Sequence, residues 1–219
     1  MTEQTMANQT ITKEHLAKAM TYTQYRELID RLLAENKTTG TNHEPDLIEY
    51  TRLNMHRMLR MEKTVKLDDE LVQVLLSVQT KMIWVVITEA WCGDAAQNLP
   101  GIIKIADASP LIDVKLLLRD ENLDVMDAYL TNGGRSIPKL IALDATTLKE
   151  IGTWGPRPVP AQQLVVELKQ QDVPFKEFAE KLHGWYAKDR SETLQQEFKG
   201  LLRKWARLED PQEQAIERF

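Results

Sequence analysis

Six consecutive apolar residues, Met82-Ile-Trp-Val-Val-Ile87, constrain this chain's fold more than any other feature. A short β-branched run of this kind suits a strand buried on both faces. It is also the longest apolar run and far too short to span a bilayer. Helix and strand patterns alternate around it. Asp68–Val78 reads as a helix, with Asp68, Asp69 and Glu70 at its positive N-terminal end. A second helix opens near Cys92. Val114–Leu118 reads as a strand, Leu123–Tyr129 as a short helix and Asn132-Gly133-Gly134 as a turn. Lys139–Leu143 and Glu150–Trp154 read as extended, and Ala161–Gln170 as a helix. The alternation predicts an α/β domain over residues 66–171, with helices on both faces of a sheet.

Helical patterns flank that domain. Residues 1–65 form an N-terminal helical extension, where Thr21 and Gln24 have capping-box spacing. Tyr25, Leu28, Ile29, Leu32 and Leu33 then recur on one face. A stripe of Leu47, Ile48, Tyr50, Met55, Met58 and Met61 follows the loop around Gly40, and its simplest use is packing onto the next domain. Residues 172–219 form a C-terminal helical extension. There Phe175, Phe178, Leu182, Trp185 and Tyr186 share one face, and Asp189 and Glu192 have capping-box spacing for a further helix. Leu194, Phe198, Leu201, Trp205 and Leu208 make a narrow apolar seam. That seam is expected to pack within the chain, and if left uncovered it implies a dimer.

Charge and residue usage exclude several classes. The net charge is −5 and no segment is a basic stripe, so no nucleic-acid partner is expected. No membrane partner is expected either. Cys92 is the only cysteine, so no intramolecular disulfide can form. The four histidines lack metal-ligand spacing; neither a metal nor a cofactor is expected. There is no GxxxxGK[ST], GxSxG or HExxH motif. The polar N-terminus lacks the apolar core of a signal peptide, and the expected location is cytoplasmic.

The chemistry concentrates where the apolar strand meets a helix, at Thr88-Glu-Ala-Trp-Cys-Gly-Asp-Ala95. Trp91-Cys92-Gly93 at this junction, Pro100 eight residues after the cysteine, Ser136-Ile137-Pro138-Lys139-Leu140 before a strand and Gly155 occur in one order. This combination resembles the thioredoxin fold, with its active-site motif and its cis-proline segment. The phrases WCGDAAQNLP, RDENLDVMDAYL, RSIPKL and GTWGPRP are similar to a group of thioredoxin-like proteins with helical extensions. The resemblance covers about the middle half of the chain. It implies a central mixed sheet with helices on both faces. It also implies a Pro138 loop that faces Cys92 and offers backbone hydrogen bonds to an extended peptide.

Two departures from the thioredoxin pattern bear on mechanism. The second cysteine of the motif is Ala95 here, and Val86 stands where thioredoxins bury an acid. Dithiol reductase chemistry within one chain is therefore excluded. A monothiol role is left open: Cys92 attacks a disulfide and an external thiol resolves it. A helix N-terminus favours the thiolate this needs. Trp91, Gly93, Asp94, Ala95, Ile137 and Pro138 are the candidate substrate-binding residues. Arg135 and Arg157 are candidate partners for a carboxylate of a peptide or of a glutathione-like thiol. The expected partner is a protein or low-molecular-weight thiol or disulfide. The alternative is a non-catalytic binding or adaptor module on the same fold, and a third reading is a homodimer in which two Cys92 thiols meet.

Overall fold

The computed structural model describes residues 10–208. In chain order its elements are α1 (Lys13–Lys18), α2 (Tyr22–Ala34), α3 (Pro45–Thr64), α4 (Asp69–Ser77), β1 (Met82–Thr88), α5 (Gly93–Asp107), β2 (Ile112–Leu118), α6 (Leu123–Asp127), β3 (Lys139–Asp144), β4 (Glu150–Trp154), α7 (Val159–Gln170), α8 (Phe175–Asp189) and α9 (Glu192–Trp205). They fall into two compact units. The first takes the described residues up to Asn54, Lys81–Ala95 and Ile112–Pro156. The second takes Met55–Thr80, Ala96–Leu111 and the described residues from Arg157.

The first unit is built on a mixed sheet in the order β2-β1-β3-β4. β1 runs parallel to β2 and antiparallel to β3, and β3 is antiparallel to β4. Because β1 is paired on both sides, its backbone is satisfied within the sheet, and every residue of it but Ile83 is buried. That is the environment its unbroken apolar run requires. One edge of the sheet is closed locally. Met20 exchanges two backbone hydrogen bonds with Leu116 of β2, at 2.9 and 2.8 Å, which occupies edge groups that would otherwise be open to pairing.

The stretch leading to that contact includes α1, which the sequence reading did not separate from the N-terminal block. Its start is fixed by Thr12 and His15. The His15 N–H donates to Thr12 Oγ1 at 3.4 Å, and the Thr12 N–H donates to His15 Nδ1 at 3.1 Å. The accepting Nδ1 leaves Nε2 to carry the proton that meets Asp124 Oδ2 at 3.0 Å. α2 begins as expected, with reciprocal bonds between Thr21 and Gln24 at 3.2 and 2.8 Å. Ile11, ahead of α1, is 1% exposed and belongs to the apolar cluster that also contains Val85, Ile87, Cys92, Ile137 and Ile141.

In the second unit, α4 and α9 pack together. Asp68 caps α4 by accepting from the Leu71 N–H at 2.8 Å. Gln195 of α9 then accepts from the Asp68 N–H at 2.8 Å and donates to the Lys66 carbonyl at 3.1 Å. The ammonium of Lys199, a buried residue, lies 2.7 Å from Glu70 and 3.5 Å from Asp68. Leu194, Phe198, Leu202 and Trp205 are the buried seam of α9.

Three expectations for the C-terminal block change here. Leu202 takes the buried position assigned to Leu201, because α9 turns its Gln195–Lys199 side toward α4, which brings Leu202 inward with it. Phe175 is 70% exposed, while Leu182 and Tyr186 are buried with Phe178 and Trp185 against them. Asp189 ends α8, and Ser191 stands at the N-cap position of α9 in its place. The chain reverses through left-handed Arg190 and Ser191 (φ 51° and 65°), and Asp189 accepts from the Thr193 N–H at 3.2 Å. No helix among the described residues is long and apolar enough to cross a membrane.

Candidate functional site

The strand-to-helix turn of the first unit carries the candidate chemistry. β1 ends at Thr88, and the Cys92 N–H donates to the Glu89 carbonyl at 3.1 Å, closing a turn that delivers Cys92 to the start of α5. Ala90 at the crest is clamped from both sides. Its N–H donates to Thr39 Oγ1 at 2.8 Å, and its carbonyl accepts from Asn54 Nδ2 at 2.9 Å. Thr39 and Asn54 are both buried, so the clamp lies out of water, where unpaired backbone groups would be costly.

Cys92 is 9% exposed. Its sulfur meets groups of opposite preference. The thiol donates to the Ile137 carbonyl at 3.2 Å, a contact only the protonated form makes. The Ala95 N–H donates to the sulfur at 3.4 Å, a contact that strengthens with negative charge. Gly93 and Asp94 open α5, the first half-buried and the second buried. Ile137 and Pro138 are buried and the peptide between them is cis. Gly155, at φ +111°, lies so close that a Cβ there would meet the Pro138 carbonyl oxygen at 2.4 Å.

Trp91 flanks the sulfur's turn. The Arg119 guanidinium sits 4.6 Å from its ring centroid and is held by Asp120 at 2.8 Å, a cation–π arrangement of useful strength for a half-buried pair. Arg135 is exposed and forks onto Asp127 at 2.6 and 2.8 Å. The pairing holds the Asp127 carboxyl below the usual carboxylate range. Arg157 belongs to the second unit, where it donates to Gln162 at 2.6 Å. The turn thus gathers Trp91, Cys92, Gly93, Asp94 and Ala95 with Ile137 and Pro138 in one unit. Among the described residues no group of three or more His, Cys, Asp or Glu side chains could hold a metal ion.

A family model described as thioredoxin matches residues 40–173, more than half of the chain. The chain belongs to this thioredoxin family. Its α/β fold, with additional terminal helices, is that of a thioredoxin-like protein. A 1.5 Å crystal structure of a protein of unknown function from Pseudomonas aeruginosa is similar at 17% identity and a TM-score of 0.54, covering 81% of this chain and 96% of that one. A likeness at that identity speaks for the fold. An HIV epitope-scaffold crystal structure is similar at 16% identity and a TM-score of 0.48, over 78% of this chain and 97% of its own. No curated protein matches the chain.

The candidate site also contains groups the sequence reading missed. Thr39, Asn54, Arg119 and Asp120 reach it from distant stretches of chain. Glu89 could have been noticed, since it is an acid that directly follows an apolar central strand. It is 0% exposed, and its Oε1 accepts from the Asp120 N–H at 3.0 Å. Oε2 has no hydrogen-bond partner among the described residues. Burial raises the Glu89 carboxyl above its ordinary value. The adjacent Thr39 hydroxyl and the Asp120 N–H oppose the shift, the Asp120 charge adds to it and Arg119 subtracts.

The folded chain therefore holds the Glu89 proton more tightly than the unfolded chain does. Its contribution to stability is present below the unfolded-state value of about 4.3 and is lost as pH rises through the folded value. Glu89→Gln removes that loss. We expect it to raise the melting temperature at neutral pH, with the gain shrinking toward pH 4. Melting curves between pH 4 and 8 check this, and a pH-independent difference would contradict it.

Proposed function

We propose that this thioredoxin-like chain is a monothiol thiol–disulfide exchange protein acting through Cys92. The observation that carries the reading is the Ala95 N–H directed at the Cys92 sulfur at 3.4 Å, in the first turn of α5. The Cys92 thiolate attacks one sulfur of a disulfide, forming a Cys92 mixed disulfide and releasing the other sulfur as a thiolate. An external thiolate then attacks the mixed disulfide, regenerating the Cys92 thiolate and leaving with the substrate's sulfur. Two exchanges balance with no net oxidant. The external thiol is required because Ala95 holds the place of an internal one.

In this reading Trp91, Gly93, Ile137 and Pro138 form the walls that receive an extended peptide or a glutathione-like molecule. Arg135 would exchange Asp127 for a substrate carboxylate. A protein disulfide or a low-molecular-weight thiol is the partner, and a reducing compartment such as the cytoplasm suits the cycle.

The test is incubation with glutathione disulfide at pH 8, followed by intact mass measurement. The expected result is a single glutathione adduct, absent in Cys92→Ser and removed by free thiol. An unmodified chain would sink the reading. A second reading has its own support: Cys92 is 9% exposed and shares an apolar cluster with Ile11. On that account the chain is a binding module in which the thiol is a core residue. Partner binding would then survive Cys92→Ser.

A further inference from the structure

Three buried polar atoms close to the Cys92 turn lack hydrogen-bond partners among the described residues. They are Tyr25 Oη, Thr88 Oγ1 and Glu89 Oε2, and all three residues are 0% exposed. They belong together. The Thr88 hydroxyl lies beside the Tyr25 phenol without completing a well-shaped hydrogen bond, and the phenol lies within electrostatic reach of both Glu89 and Cys92. Buried groups left unpaired are costly, so three in one place call for an account. The exchange cycle does not use them.

We infer that this Tyr25–Thr88–Glu89 cluster is a proton-linked control on the reactivity of Cys92, with Glu89 as the positioning residue that carries the proton. A neutral Glu89 keeps the turn clamped and adds no charge behind the sulfur. An ionised Glu89 places a buried negative charge behind the same turn and opposes formation of the Cys92 thiolate. The surroundings favour the neutral state. Asp120 faces Glu89 with a like charge and spends its neighbour Arg119 on its own carboxylate at 2.8 Å. Tyr25 from α2 faces it as a phenol whose own ionisation burial opposes, with Tyr22 beyond. Thr39 offers only a hydroxyl. Arg119 is thus the one cation among these groups, and it is shared. The Glu89 backbone connects the two sites directly, because its carbonyl accepts the Cys92 N–H at 3.1 Å.

This inference rests on Cys92 as the reacting thiol, though not on any disulfide turnover. The test is therefore iodoacetamide alkylation of the full chain between pH 5 and 10, comparing wild type with Glu89→Gln, and unfolded protein as the reference. We expect the two to coincide at the acid end. Between the pH at which Glu89 ionises and the thiol's own titration, Glu89→Gln should react about tenfold faster, the effect of one unit of displacement in the thiol titration, and the two should converge again once both thiols are ionised. The wild-type profile should rise in two steps and the variant's in one. Superimposable profiles would overturn the inference, as would a constant ratio at every pH, which is what a merely structural role gives. If Glu89→Gln does not fold, carboxyl-carbon NMR of the wild-type chain decides. Glu89 should titrate above about 4.3 with a matching inflection in the Cys92 amide, and a Glu89 midpoint at or below that value overturns it. Failure of glutathione adduct formation with a two-step alkylation profile would count against the exchange reading alone.

Discussion

Gly155→Ala should destabilise this protein by about 3 kcal/mol, combining the strain of a positive φ with overpacking against rigid backbone. Gly155 has φ +111°, and an added Cβ would stand 2.4 Å from the Pro138 carbonyl oxygen, 3.4 Å from its carbon and 3.5 Å from the Lys139 Cα. None of these atoms is the tip of a flexible side chain, so relief requires the Ile137–Lys139 segment to move. That segment holds Cys92, whose thiol donates to the Ile137 carbonyl at 3.2 Å. Loss of stability should therefore come with faster Cys92 alkylation. Gly133 provides the control. It also has a positive φ, +76°, yet a Cβ there meets nothing within 4 Å. Gly133→Ala should cost only the conformational term, about 1 kcal/mol. Denaturant unfolding of both variants checks the pair, and equal losses would mean that the approach of Gly155 to Pro138 carries no weight.

The contrast between those two glycines shows where sequence reading reaches its limit. Gly133 is visible as a turn-former and Gly155 through the family pattern, yet only the fold distinguishes open space from a backbone 2.4 Å away. The same division runs through the site. Trp91, Cys92, Gly93, Asp94 and Ala95 were legible because they are contiguous and follow an apolar run that can only be a central strand. Ile137 and Pro138 were legible only through the family pattern. Thr39 and Asn54, which clamp Ala90, carry no signal of their own. A threonine in a loop and an asparagine in a helix are ordinary until tertiary contact places them on one peptide. Arg135 was legible as a cation but not as one already engaged, because Asp127 lies in a separate element. At α9 the period was read well enough to find the seam. The register between Leu201 and Leu202 was decided by packing on α4, which the helix's own sequence does not encode.

Phe198→Ala should be among the most damaging substitutions in the second unit, at about 3–5 kcal/mol, the usual range for truncating a fully buried aromatic ring. Phe198 is 0% exposed and meets Trp205 edge-on, with ring centroids 6.3 Å apart at 83°. Phe198→Leu, which keeps most of the volume, should cost less than about 1.5 kcal/mol. Because the two rings touch, Phe198→Ala and Trp205→Ala together should cost less than the sum of the single losses. Phe175→Ala is the contrasting case. The ring is 70% exposed, so its removal should change stability by no more than about 0.5 kcal/mol. Urea unfolding of the five variants checks all of this, and a mild Phe198→Ala would mean that α9 is only loosely docked. The outcome also bears on function. The binding-module reading could have used an uncovered α9 seam as its docking face. Leu194, Phe198, Leu202 and Trp205 are instead buried within the chain, so a partner that needs that face would have to displace α9 at the full cost of those side chains. If Phe198→Ala is as costly as expected, any partner surface of this protein has to be sought elsewhere than on that seam.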